Sequence, residues 1–222
     1  MTWTTTKKAL FVLTAIASLT VSANTASANL LSNGSFESVL EYADPNLPNW
    51  FAFFGAGSTG TFSTVDPGYM GMVMPSVGAN NLSIANDGTP DGFSGVLQAV
   101  AGSAGLEYTF SFDAKSNSGP SFPLGAEFRI EWLDDGGVIG DTGNIAIAGS
   151  LTEQYQQFSV TATAPVGTTR VQPVIAVETF SANGSAGNLF VDNTVLTAVP
   201  EPATAGLLSL ASVALFCLRR RS

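Results

Sequence analysis

Two stretches of this chain constrain its fold more than any other feature. In Leu106-Glu107-Tyr108-Thr109-Phe110-Ser111-Phe112-Asp113, three aromatic residues alternate with polar or charged ones. Residues 126–132 repeat the pattern, with Phe128, Ile130 and Trp132 opposite Glu127, Arg129 and Glu131. Side chains repeat every two residues along a strand and every 3.6 along a helix, so this alternation predicts half-buried strands. Apolar spacing of three and four, the mark of an amphipathic helix, is absent from the middle of the chain. The charged row of the second stretch reads as a set of solvent-facing ion pairs, which contribute little energy.

Turn signals divide the rest. Asp134-Asp135-Gly136-Gly137 turns the chain into Val138-Ile139-Gly140, with glycines where a hairpin needs positive φ. Further strands are predicted at 30–36, 60–64, 81–85, 94–100, 156–164, 170–177 and 188–196, punctuated by Pro165-Val166-Gly167 and Ser181-Ala182-Asn183-Gly184. Many short strands with turn-rich gaps imply an all-β fold, a two-sheet antiparallel sandwich or barrel.

Both ends have a different character. Lys7 and Lys8 precede an apolar run over 9–17, and Ala26-Ser27-Ala28 follows with small residues. That order is a secretory signal peptide over 1–28, cleaved between Ala28 and Asn29. At the other end, residues 203–218 contain no charge and no proline, and Arg219, Arg220 and Arg221 follow. As a helix they would span about 24 Å, short of a hydrocarbon core of about 30 Å. Snorkelling arginines and local thinning cover the difference. Arginines at the end of such a helix hold it on the cytoplasmic side of the inner membrane. The segment between, 29–198, is then a single exported β-sandwich domain.

That domain has three basic residues, Lys115, Arg129 and Arg170, against sixteen acidic ones, a net charge of −13. Such a charge excludes nucleic acid as a partner, because phosphates need basic contacts. It fits a solvated surface, a neutral ligand or calcium. The one cysteine, Cys217, lies in the terminal apolar segment, so the domain has no disulfide. With no histidine in the chain, Ser-His-Asp and Cys-His catalysis are impossible and zinc loses its usual nitrogen ligand. Paired carboxylates, Glu127 with Glu131 or Asp134 with Asp135, are the remaining route to a glycosidase. An ion-pair row and a turn explain all four equally. No catalytic residue is assigned.

Val199-Pro200-Glu201-Pro202 precedes the apolar tail, and two prolines about one glutamate hold an extended, exposed element. Pro-Glu-Pro, a short apolar helix and a closing arginine cluster over 199–222 resemble the PEP-CTERM protein-sorting signal of bacteria. The resemblance implies recognition by exosortase, a membrane protease or transpeptidase that removes the helix. It further implies an inner-membrane-anchored precursor destined for the surface or matrix of a Gram-negative, exopolysaccharide-producing bacterium.

A second resemblance runs through 29–198. Asn29-Leu30-Leu31-Ser32-Asn33-Gly34-Ser35-Phe36-Glu37, Trp50, Asn81-Leu82-Ser83-Ile84, Tyr108 to Lys115, and Leu189-Phe190-Val191-Asp192-Asn193 follow in the order of the galactose-binding-like jelly roll of many carbohydrate-binding modules. It implies two face-to-face sheets and a structural calcium joining first and last strands, with Glu37 and Asp192 as carboxylate ligands. The alternative makes Glu37 a surface acid and Asp192 a turn former. Asn86-Asp87-Gly88-Thr89-Pro90-Asp91-Gly92 reads as a second calcium loop or as a plain turn. Trp50, with Phe51, Phe53 and Phe54, reads as a sugar-stacking platform or as core, and Phe93, Phe122 and Phe180 carry the same two readings. The expected role is non-catalytic association with extracellular polysaccharide. The alternative is a structural matrix or coat protein with no specific sugar ligand.

Overall fold

A computed structural model describes residues 28–38, 49–55, 60–64, 73–179 and 186–199, with the backbone alone at 60–64. Twelve strands are found among them: β1 (Phe51–Phe54), β2 (Gly60–Thr64), β3 (Leu82–Asn86), β4 (Phe93–Leu97), β5 (Val100–Ala101), β6 (Glu107–Lys115), β7 (Gly125–Leu133), β8 (Val138–Asp141), β9 (Ile145–Ala146), β10 (Gln156–Thr163), β11 (Arg170–Glu178) and β12 (Gly187–Val199). One sheet runs β1-β4-β11-β7-β8, with β5 beside β11 and β9 beside β7, and the other runs β10-β6-β12-β3-β2. Every pairing is antiparallel. The fold is the expected all-β, two-sheet jelly-roll sandwich. Residues 1–27 of the signal segment, Cys217, Phe180, Pro200, Glu201, Pro202 and Arg219 to Arg221 lie outside the described residues. Among the described residues no helix is long and apolar enough to cross a membrane.

The two alternating stretches make the centre of the core. Tyr108, Phe110 and Phe112 of β6 face Phe128, Ile130 and Trp132 of β7, all buried. Phe112 meets Phe128 edge-on at 5.0 Å between ring centroids, and Tyr108 lies 5.8 Å from Trp132. Tilted and edge-on contacts suit the ring quadrupole better than face-to-face stacking. The Tyr108 hydroxyl accepts the Ser103 N–H at 2.9 Å, so its polar end is satisfied.

The strand predicted at 30–36 is not one. Asn33 and Phe36 take φ of 52° and 56°, and Phe36 N–H closes a turn on Asn33 C=O at 3.2 Å. The segment is instead joined to β12 by two backbone bonds, Leu30 N–H to Leu196 C=O and Thr194 N–H to Gly34 C=O, both at 2.8 Å, and by side chains. Asn29 Oδ1 accepts N–H bonds from Leu31 and Leu196, and its Nδ2 donates to Thr194 C=O at 2.9 Å. Gly34 is needed here, because a Cβ would strike the Thr194 carbonyl. The β12 ladder shifts register between Asp192 and Val195, with Asn193 at φ 50°. That bulge lets first and last segments meet.

Candidate functional site

The outward face of the β1-β4-β11-β7-β8 sheet places aromatic rings beside a polar floor. At its edge, Phe51 and Phe53 of β1 stand opposite Leu97 and Gly95 of β4. Phe51 is 63% exposed and Phe93 41%, with Phe53 half-buried between them. Two glycines seat the rings: a Cβ at Gly95 would collide with the Phe53 ring, and one at Gly55 with the Phe93 ring. The rings of Phe53 and Phe93 lie 6.1 Å apart at 50°. A shallow pocket of about 220 Å³, lined by Asp91, Gly92, Phe93, Glu178 and Thr179, opens beside them.

Three strands away, about 14 Å at the usual strand spacing, lies the floor. Arg129 sits between two glutamates of its own strand. Its Nη2 meets Glu131 Oε1 at 2.6 Å, and its Nη1 meets Glu127 Oε1 at 3.4 Å. Nη1 also donates to Asn144 Oδ1 at 3.3 Å, and Gln172 Nε2 of β11 donates to Glu131 Oε2 at 2.6 Å. Glu127 and Glu131 are only 6% and 8% exposed, so the row expected to be open to solvent is sheltered. Burial pushes the Glu127 carboxyl up to about 7, helped by the charge of Glu178 and a hydrogen bond with it, while Arg129 and Asn144 pull the other way. The register explains the contact: Glu178 pairs with Gly125 and Glu127 with Ala176, which makes the two acids diagonal neighbours on one face.

Trp50, expected either on a platform or in the core, is in the core. It is 3% exposed, packs 5.6 Å from Phe36, and donates its indole N–H to Asn33 C=O. Strand parity explains the correction, since Trp50 and Phe51 point to opposite sides. Phe122 is likewise buried, at 8%. The turn at 86–92 is held locally, by Asn86 Oδ1 accepting from Gly88 N–H and Asp87 Oδ1 from Thr89 N–H, both at 2.9 Å.

Glu37 and Asp192 both grip the loop at 76–80. Asp192 is fully buried, and its Oδ2 accepts N–H bonds from Ser76 and Val77 at 2.8 and 2.9 Å. Its Oδ1 accepts Asn193 N–H at 2.7 Å. Glu37 Oε1 accepts from Ala79 and Asn80 N–H at 2.9 and 3.1 Å. Gly78, at φ 66°, leaves room for that carboxylate, because a Cβ would overlap it. Burial raises the Asp192 pKa, and the amides of Val77, Asn193 and Ser76 oppose it. Beside it the Tyr155 hydroxyl, buried and without a hydrogen-bond partner among the described residues, is pushed up by burial and by Asp192 and Asp113. Calcium takes six to eight oxygens, whereas here amide hydrogens point at the carboxylates. Among the described residues no three acidic, histidine or cysteine side chains gather as a metal site. In this arrangement main-chain amides fill the two carboxylates.

Downstream of the sandwich the exposed Val199 ends β12, and residues 198–221 match the family model of the PEP-CTERM protein-sorting motif. The chain carries a PEP-CTERM sorting motif. No curated protein matches the chain in sequence. Among solved structures, the enzymatically active domain of tailspike protein 4 of bacteriophage CBA120 is similar at 17% identity and a TM-score of 0.56, over 77% of this chain. This chain spans 21% of that one. The carbohydrate-binding module CBM4 is similar at 19% identity and a TM-score of 0.50, over 76% of this chain and 99% of that one. A Stig cyclase from Fischerella sp. TAU is similar at 17% identity and 0.51, over 79% and 100%. The sorted chain thus carries a sandwich of the carbohydrate-binding-module kind, a fold shared by binding modules and enzymes.

Proposed function

We propose that this chain is an exported, exosortase-sorted surface or matrix protein whose sandwich binds a neutral extracellular glycan without catalysis. The observation that carries the binding role is the row of rings, exposed Phe51 and Phe93 with half-buried Phe53 between them, beside the polar floor of Glu127, Arg129, Glu131 and Gln172. Sugars need both halves of such a face. Apolar C–H faces pack on aromatic rings, and hydroxyls both donate and accept. Carboxylates, a guanidinium and amides supply that mixture. By strand register the face holds two guanidinium groups, Arg129 and Arg170, against four carboxylates, Glu127, Glu131, Glu178 and Asp141, and Glu127 and Glu178 share a hydrogen bond. It is therefore closer to balance than the exported domain around it, which is strongly acidic. That combination favours uncharged glycans over uronic-acid polymers.

In this reading residues 1–28 are removed, and Asn29, the first residue to bind β12, becomes the new terminus. Val199 to Pro202 then present the tail for processing, and Arg219 to Arg221 hold the precursor at the inner membrane. Exosortase and the host's exopolysaccharide are the partners.

Affinity electrophoresis of the protein against neutral and uronic-acid polysaccharides tests the binding role. Retardation by a neutral polymer is expected, with at least tenfold weakening in Phe51→Ala/Phe93→Ala. A tenfold change corresponds to about 1.4 kcal/mol. No retardation on any polymer leaves the chain a structural matrix protein, and release of reducing sugar would make it an enzyme.

A further inference from the structure

The edge of a sheet is a row of N–H and C=O groups that can pair with another strand. In the β10-β6-β12-β3-β2 sheet one edge is β10, paired with β6 from Gln156↔Ala114 to Thr163↔Glu107 without a register break. Just beyond the strand, Ala164 N–H donates to Leu106 C=O at 2.9 Å. Bonding alternates along an antiparallel pair, so this bond sets its phase. The even-numbered residues of β10 bond to β6, and Gln157, Ser159, Thr161 and Thr163 aim their backbone groups away from the sheet. All four residues are exposed, and among the described residues nothing bonds to those backbone groups.

Edges are ordinarily blunted by charge, proline, a bulge or short length. The sequence of β10, QQFSVTAT, has no charge, no proline and no glycine over eight residues. The other edge strands are shorter: β1 and β8 have four residues, β2 has five, and β8 ends on Asp141. Beneath the edge, Phe158, Val160 and Ala162 pack against the core and remain only partly buried.

We propose that β10 is a self-assembly edge, which pairs antiparallel with β10 of a second copy about a two-fold axis at Val160. In this register Val160 faces Val160, Phe158 faces Ala162, Ser159 faces Thr161 and Gln157 faces Thr163. Each outward N–H then meets an outward C=O, the apolar rows of the two copies join on the core side, and hydroxyls line the other side. Shifting the register by one residue would set apolar against polar. The occupant is a second copy because one uncharged strand satisfies both sides of this match. Two copies of a domain with a net charge of −13 repel over most of their surface, and a charge-free strand is where approach costs least. The pairing is independent of any glycan.

A single-strand contact is small beside the roughly 1,200–2,000 Å² of a stable complex, so covalent capture is the right readout. Full-length Cys217→Ser/Val160→Cys displayed on cells should give a disulfide-linked dimer on mild oxidation. Ser159→Cys and Thr161→Cys chains (each in Cys217→Ser) should cross-link when co-expressed and much less when alone. Adding Ser159→Lys to Val160→Cys should reduce the dimer at least tenfold, with protease resistance unchanged. Absence of a dimer from both cysteine designs in protease-resistant protein would overturn the proposal. So would a yield that the lysine does not lower.

Discussion

Acidic residues gather in two places in this sandwich, and they are held in opposite ways. At the loop over 76–80, Asp192 and Glu37 are satisfied by backbone N–H groups of Ser76, Val77, Ala79, Asn80 and Asn193. On the outward face, Glu127 and Glu131 are satisfied by the side chains of Arg129, Asn144 and Gln172, directly or through the guanidinium. A carboxylate filled by main chain fixes the path of the chain and has little left to offer a ligand. One balanced by flexible side chains can exchange a partner for a sugar hydroxyl. The nature of the donor, more than the presence of the acid, separates a structural clasp from a binding floor.

The largest expected effect breaks the clasp. Asp192→Ala leaves three amides without their acceptor in a buried place, and each such loss costs about 1–3 kcal/mol. Urea unfolding should show at least ~3 kcal/mol of destabilisation, with Asp192→Asn losing less because it keeps one oxygen. An unchanged midpoint in Asp192→Ala would refute the clasp.

Neighbouring aromatics sharpen the contrast. Trp50→Ala should cost about 3–5 kcal/mol, as expected for a buried aromatic. Phe51→Ala should cost under ~1 kcal/mol, as at ordinary surface sites, yet weaken glycan retardation. If Trp50→Ala folded normally and lost only binding, the assignment of the two sides of β1 would be reversed.

The core was legible because its residues announce themselves by period. Tyr108, Phe110 and Phe112 alternate, and so do Phe128, Ile130 and Trp132. Asn33-Gly34-Ser35 is a turn signature as well as part of a predicted strand, and the positive φ at Asn33 and Phe36 shows that the turn prevailed. Trp50 and Phe51 were separable in principle by parity, had Phe51–Phe54 been read as a strand. The floor was not legible beyond its β7 row. Glu178, Gln172 and Asn144 reach Glu127, Arg129 and Glu131 only through strand register, which local sequence does not encode. Nor could Glu37 and Asp192 reveal that their partners would be amides of a loop distant from both.

A smaller effect is expected from pH. The Glu127 carboxyl lies at about 7 against an ordinary 4.5, so the folded chain binds more protons than the unfolded one between those values. Stability from this group is therefore present below about 4.5 and declines as pH rises to 7. Glu178→Gln removes the opposing charge and should flatten this decline. Relative to the unmodified protein, the variant should gain more stability at pH 7.5 than at pH 5 in paired urea curves. Equal differences at both values would mean that the two acids do not interact.

The smallest effect distinguishes the clasp from a metal site. If a cation bridged Glu37 and Asp192, chelation would leave two carboxylates repelling across the join between first and last segments, and the melting temperature would fall. Amide donors are covalently part of the chain and cannot be chelated. EDTA, followed by excess calcium, should therefore leave the melting temperature unchanged within about a degree, whereas Glu37→Gln should lower it by a few degrees at most. A fall with EDTA that calcium restores would return the cation to this join. The amides of 76–80 would then be a substitute arrangement adopted only without it.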